Sequence, residues 1–271
     1  MTGPGHAHPP SGRGVAVVTG ASSGIGRAFA EILVDLGYDL LIAADESVIH
    51  QVASELEERG PRVVGLHVDL SGTPGVEYLA EVAEAQEGPV TVAVLNAGMG
   101  VHGRFDEIDL DRQLQLIDLN VRSTVHLASL LTPGMVERGD GRLLFVSSIA
   151  AKGPGPGHAA YAASKAFVHS FAEGIRQELR DTGVSVTSLL PGPTDTKFFE
   201  RAGMQDTKVD SSSKDDAAEV AKEGFEALMA GKDHVIAGSA KNKAQVAAAR
   251  VLPETAQAKV HAPQTKPGGG D

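Results

Sequence analysis

Val15-Ala16-Val17-Val18-Thr19-Gly20-Ala21-Ser22-Ser23-Gly24-Ile25-Gly26 passes from a short apolar run into a loop holding three glycines. From Arg27 to Leu36 the residues follow helical spacing, and Gly37 stops them. Four consecutive apolar residues ending at a turn are the pattern of a strand buried on both faces. Strand, glycine turn and helix in that order form the context a dinucleotide-binding loop needs. Gly20 allows the tight turn, Gly24 lets backbone approach a pyrophosphate, and Gly26 lets the helix pack close to the strand. The helix start then offers unpaired N–H groups and the positive end of its dipole to a phosphate.

The same alternation continues along the chain. Further strands are expected at 39–44, 62–68, 90–95, 142–147, 184–190 and 234–237. Helices are expected at 47–59, 74–86, 110–137, 159–181, 215–230 and 242–252, with Pro133 tolerated near the end of the long one. Strands alternating with helices at this cadence make βαβ units and a parallel sheet covered on both faces. The expected fold is α/β, a doubly wound, Rossmann-type, mostly parallel seven-stranded sheet in a single domain spanning 14–252. Residues 1–13 read as a disordered leader, 194–214 as a mobile substrate-binding segment, and 253–271 as a C-terminal tail.

Composition narrows the function. The 271 residues are 42% hydrophobic and 22% charged, which suits one large domain with a sizeable core. Tryptophan is absent and aromatics make up 4%, so the core is expected to be aliphatic. There are no cysteines, which excludes disulfides, thiolate catalysis and thiolate metal ligands and is compatible with the cytoplasm. A formal net charge of −11 argues against nucleic acid or an anionic membrane as partner. No apolar run approaches the roughly 18 residues that span a bilayer. No metal-binding constellation is visible.

Tyr161-Ala162-Ala163-Ser164-Lys165 carries the candidate chemistry. On a helix, residues four apart share a face. A phenol ordinarily titrates near ~10, and a neighbouring ammonium favours its ionised form, drawing it toward the operating pH. Thirteen residues upstream, Ser148 ends a strand-like run and can place a hydroxyl beside the phenol; Ser147, next to it, is the competing choice.

The loop spacing Gly-x-x-x-Gly-x-Gly, read as Thr19 to Gly26, resembles that of the short-chain dehydrogenase/reductase family. Asp69-Leu70, Asn96-Ala97-Gly98, Asn120 within Asp118-Leu119-Asn120-Val121, Ser148 with Tyr161-x-x-x-Lys165, and Pro191-Gly192-x-x-x-Thr196 agree with it in order. The match covers residues 14–237. The resemblance implies a catalytic set of Asn120, Ser148, Tyr161 and Lys165. Tyr161 would be the general acid/base, Lys165 would lower its pKa and bind the ribose, Ser148 would orient the substrate oxygen, and Asn120 would hold a relay water. It further implies cofactor contacts from Gly20, Ser22, Ser23, Gly24, Ile25, Gly26, Asp45, Asp69, Leu70, Asn96, Ala97, Gly98, Tyr161, Lys165, Pro191, Gly192, Thr194 and Thr196. Asn96 also has a purely structural reading, Asp69 one as a helix cap, and Asn120 one as a helix-packing amide.

Neither the glycine loop nor the end of the second strand carries a basic residue; that strand ends Ala43-Ala44-Asp45-Glu46. A carboxylate there accepts from ribose hydroxyls and repels a 2′-phosphate, so the expected cofactor is NAD over NADP. Asp45 stands one position after the commonest place for such an aspartate. The pocket is expected from 99–105, 150–158 and 194–214, with Phe198, Phe199 and Met204 favouring an apolar alcohol or carbonyl substrate. His102 and His158 read as solvent-exposed loop histidines, with substrate contact as the other reading. The resemblance implies an NAD(P)-dependent oxidoreductase acting on CH–OH and C=O groups, as a homodimer or homotetramer. The alternatives are an NADP-dependent reductase of the same type, a non-catalytic NAD-binding scaffold or sensor, and a non-redox isomerase or dehydratase using bound NAD.

Overall fold

The chain alternates strand and helix throughout the residues that the computed structural model describes, 12–204, 214–249 and 253–261. The strands are β1 (Val15–Thr19), β2 (Asp39–Ala44), β3 (Val63–His67), β4 (Val90–Leu95), β5 (Gly141–Val146), β6 (Val184–Pro191) and β7 (His234–Ala237). The helices are α1 (Gly24–Asp35), α2 (Ile49–Glu57), α3 (Thr73–Glu84), α4 (Leu110–Ile117), α5 (Ser123–Arg138), α6 (Ala159–Glu178), α7 (Phe198–Arg201), α8 (Ala217–Met229), α9 (Ala240–Ala249) and α10 (Glu254–His261). The strands form one sheet in the order β3-β2-β1-β4-β5-β6-β7. Every pairing in it is parallel.

Because successive strand residues point to opposite faces, each inner strand feeds two cores. Ala16 and Val18 of β1 join Phe29 and Leu33 of α1, Ile49 and Leu56 of α2, and Val220 of α8. Val15 and Val17 join Leu79 of α3, Leu131 and Met135 of α5, and Val168 of α6. Burial on both sides is why these strands are apolar at every position rather than alternating. The edge strands β3 and β7 are only partly covered and admit His67 and His234.

Four departures from the sequence reading are local. The long helix expected over 110–137 is divided into α4 and α5 by a π-helical turn, Asp118–Arg122. Such turns insert one residue into the helical ladder; here the turn sinks Asn120 into the interior, 1% exposed. Pro133 is carried inside α5 as expected. The segment expected to be mobile over 194–214 opens with a parallel bridge from Thr194 to Asp215 and the short helix α7. Phe199, Ala202 and Met204 there bury one another; residues 205–213 lie outside the described residues. After Pro253, where a tail was expected, Glu254–His261 is helical. Of the expected leader, Arg13 is tied down, its carbonyl accepting from Thr91 Oγ1 at 2.8 Å; residues 1–11 and 262–271 lie outside the described residues.

The turn between β1 and α1 depends on the missing side chain of Gly26. A Cβ there would overlap the Gly20 carbonyl oxygen and stand 2.5 Å from Asn96 Nδ2. Gly26→Ala should therefore lower unfolding stability by about 2 kcal/mol, read from urea denaturation. A change under about 0.5 kcal/mol, the range of an inert surface substitution, would contradict this packing.

Candidate active site

The chain runs outward from β1 to β2 and β3, then returns to add β4 on the other side of β1. Loops leaving the carboxyl ends of β1 and β4 therefore diverge, and a crevice opens between them. The cleft there has a volume of about 940 Å³. Its walls include Gly20, Ser22, Ser23, Gly24, Ile25, Asp45, Asp69, Leu70, Asn96, Ala97, Gly98, Ser148, Tyr161, Lys165, Pro191, Gly192, Thr194 and Thr196. Of the residues singled out from the sequence, Gly26 and Asn120 stand behind the wall rather than in it.

The glycine loop is held from the β4 side. Asn96 Nδ2 donates to the carbonyls of Thr19 and Gly20 at 2.9 and 3.2 Å. Thr19 Oγ1 accepts from the backbone N–H of Asn96 and of Ala97, each at 2.9 Å. Asn96 is thus a strut between two loops, the structural role weighed for it. Gly20 and Gly24 have φ of +66° and +57°, in the left-handed region that favours glycine. A Cβ on Gly24 would stand 2.6 Å from the Thr196 methyl, so its small size admits Thr196 as well as any approaching ligand. Ser23 makes no side-chain cap on α1. With first-turn N–H groups left over and no Cβ in the way, this donor set suits a diphosphate.

Tyr161 and Lys165 meet as their spacing on α6 requires, with Lys165 Nζ 5.9 Å from the Tyr161 ring centroid. Lys165 is 5% exposed and donates from Nζ to the Val146 carbonyl at 2.9 Å. The Ser148 hydroxyl and the Tyr161 phenol share a hydrogen bond. Ser147 faces away, donating from Oγ to the Lys165 carbonyl at 2.7 Å. The thirteen-residue spacing selects Ser148 as the serine beside the phenol.

The electrostatics correct the sequence reading. Burial pushes the Tyr161 phenol up to about 12, and the Ser148 hydrogen bond offsets only part of that. Burial also pushes the Lys165 ammonium down to about 8. Desolvation sets the direction of both shifts, and for the phenol that direction is opposite to the one its spacing from Lys165 suggests.

Asn120 is fully engaged. Its Oδ1 accepts from Met99 N–H and its Nδ2 donates to the Met99 carbonyl, both at 2.9 Å, and Nδ2 also reaches Ser164 Oγ at 3.0 Å. It pins the β4 loop to α6, and Gly98 leaves the room: a Cβ there would stand 3.1 Å from both Asn120 Oδ1 and Lys165 Nζ. Asp69 accepts from the N–H and hydroxyl of Ser71, each at 2.8 Å, in the turn that precedes α3. His158, expected in solvent, lines the cleft with its ring centroid 6.2 Å from that of Tyr161. Phe198 lies against Tyr161 at 5.3 Å and is admitted by Gly100, whose Cβ would stand 2.6 Å from the Phe198 ring.

Sequence reasoning missed Lys197, Arg201 and Asn242 in the wall. Asn242 donates to Asp215 Oδ2 at 2.6 Å and occupies space that a side chain on Gly192 would take. It sits on an Ala-rich helix where no local pattern marks it. Glu173 also meets the consecutive pair Asp233 and His234, about sixty residues later in the chain: His234 Nδ1 lies 3.1 Å from Asp233 Oδ2 and 3.7 Å from Glu173 Oε1.

Comparison with known proteins agrees with this geometry. Residues 14–207 match the short chain dehydrogenase family. An uncharacterized oxidoreductase of Staphylococcus saprophyticus is 35% identical over 184 residues, 67% of this chain and 79% of that protein. A short-chain dehydrogenase from Sphingobium yanoikuyae in complex with NADPH superposes with a TM-score of 0.78 at 27% identity, covering 88% of this chain and 93% of that one. A short-chain dehydrogenase/reductase from Burkholderia phymatum in complex with NAD gives 0.81 at 26% identity, covering 94% and 98%. The chain belongs to the short-chain dehydrogenase family and is an NAD(P)-dependent oxidoreductase. Among the described residues no helix is long and apolar enough to cross a membrane.

The depressed Lys165 fixes the sign of a pH effect on stability. Between about pH 8 and the unfolded value of 10.5 the unfolded chain binds more protons at this residue, so stability rises with pH across that window and falls as pH drops through 8. Lys165→Met removes the effect. Its melting temperature should exceed that of the wild type at pH 7, with the gap shrinking by about 5 °C on going to pH 10. A gap independent of pH would show that Lys165 titrates at an ordinary value.

Proposed function

We propose that the protein transfers a hydride between a nicotinamide dinucleotide, NAD in preference to NADP, and a secondary alcohol or ketone. The observation that carries this is the Tyr161 phenol, hydrogen-bonded to Ser148 and beside buried Lys165, in one cleft with an uncapped glycine-loop helix start. Gly20, Ser22, Ser23, Gly24 and Ile25 would hold the diphosphate, Asp45 the adenosine ribose, Asp69, Leu70 and Asn96 to Gly98 the adenine side. Pro191, Gly192, Thr194 and Thr196 would hold the nicotinamide side, with Lys165 on its ribose. When bound, the dinucleotide supplies or accepts the hydride.

Tyr161 moves the proton. In reduction its hydroxyl protonates the carbonyl oxygen; in oxidation its phenolate takes the alcohol proton. Ser148 donates to the same oxygen and stabilises negative charge developing there. Lys165, the ammonium beside the ring, would return a proton to the phenol, and Asn120 would shape the path to solvent by holding the β4 loop against α6. Below pH 8 both Tyr161 and Lys165 hold their protons, which suits protonation of a carbonyl. Phe198 against Tyr161 and Gly100 under it form an apolar wall, which supports an apolar substrate.

The NAD preference is supported by Asp45 in the cleft wall and by the NAD complex of the Burkholderia phymatum relative; the Sphingobium yanoikuyae relative holds NADPH. Leu110, Leu114 and Ile117 form an exposed stripe on one face of α4 with Phe105 beside its start, which supports a homodimer or homotetramer. The lack of cysteines is compatible with the cytoplasm as the compartment.

Tyr161→Phe should lower turnover by about 10³-fold on a ketone panel while NADH binding, followed by nucleotide fluorescence, changes less than threefold. Full activity in this variant would reject the assignment, and tight NADH binding by a wild type inert on the whole panel would favour a scaffold. Alcohol oxidation should speed up as pH rises from 7 to 10, because phenolate is the required form. A flat profile would place proton transfer elsewhere.

A further inference from the structure

The end of β2 is where the sequence shows no cation, yet tertiary structure brings two. Arg201 of α7 pairs with Glu46, two residues beyond β2 and 155 positions away in the chain. Lys197, one helical turn before Arg201, adds its charge to the same carboxylate. Glu46 also accepts from the Ser22 hydroxyl of the glycine loop. Arg201, Lys197, Ser22 and Asp45 all line the cleft, and the Glu46–Arg201 pair is half-buried at its rim. The opposite Glu46 oxygen, Oε2, is buried without a hydrogen-bond partner.

We infer that Arg201, with Lys197, is a latent reader of a ribose 2′-phosphate, and that Glu46 decides cofactor choice by occupying it. This rests on the dinucleotide reading above and deepens it. A 2′-phosphate carries close to two negative charges, and an arginine fork is the side chain best shaped to bind it. While Glu46 holds that fork, a phosphate must break the ion pair and approach the carboxylates of Asp45 and Glu46. An unphosphorylated ribose meets no such conflict. Selectivity for NAD then arises from a carboxylate that both repels the wrong ligand and withholds the cation the ligand would need.

The test measures binding. Dissociation constants for NADH and NADPH are taken by fluorescence titration on the wild type, Glu46→Gln, Arg201→Gln and the double variant, with melting curves confirming folding. Glu46→Gln should tighten NADPH at least tenfold and change NADH less than threefold. The double variant should lose that gain. Arg201→Gln alone, which leaves Glu46 bare, should weaken NADPH selectively, and this arm stands even where Glu46→Gln fails to fold. A ratio of the two constants that does not respond to Glu46→Gln, or a gain that survives loss of Arg201, overturns the inference. Equal tightening of both nucleotides overturns it too, since Arg201 would then grip the shared diphosphate. A wild type that binds neither nucleotide overturns this inference and the parent reading together, whereas an unresponsive ratio overturns this one alone.

Discussion

An ammonium held in a nearly dry place is the constraint on which the site turns. Lys165 spends its charge on the Val146 carbonyl at the end of β5, and the rest of the cleft is arranged so that this position exists. α6 must cross the sheet close enough to deliver Lys165, which the anchoring of Ser147 Oγ on the Lys165 carbonyl secures. The β4 loop must leave a gap at Gly98, and Asn120 must hold that loop without filling the gap. An isolated buried ammonium costs several kcal/mol, so such a residue persists in a fold only where its surroundings over-determine it.

The same logic explains the glycine loop. Its backbone can face a ligand only because Asn96 and Thr19 satisfy the polar groups behind it. Gly26 makes that strut possible, and Gly24 lets Thr196 close over the turn from the far side of the sheet. One half of the cleft is therefore rigid, built on β1 and β4. The other half, from Thr194 to Met204, meets it through the Thr194–Asp215 bridge, Thr196 on Gly24, Phe198 on Tyr161 and Gly100, and the Arg201–Glu46 pair.

Much of this was legible in the residues. Apolar runs at Val15–Thr19, Val90–Leu95 and Gly141–Val146 read directly as strands because a doubly covered parallel sheet tolerates nothing else. The seven strands, the order of helices, and the meeting of Ser148, Tyr161 and Lys165 followed from periodicity and a family pattern. The π-helical turn at Asp118–Arg122 did not, since the partner of its Asn120, the Met99 backbone, lies 21 residues away in the chain. His158 looked like a loop histidine because its place beside Tyr161 is set by the fold of 153–158 around α6. The direction of the Tyr161 shift was missed because spacing reports that two groups are near, whereas burial decides how each is charged.

The amino-acid order by itself determined the sheet, the place of the glycine loop and the meeting of the candidate set Ser148, Tyr161 and Lys165, for these depend on periods of two and 3.6 residues and on short fixed spacings. Only the tertiary structure decided the dryness of Lys165, the engagement of Asn120 and the arrival of Arg201 and Lys197 at the end of β2. Those depend on desolvation and on contacts between segments over a hundred residues apart, and neither leaves a mark on local sequence.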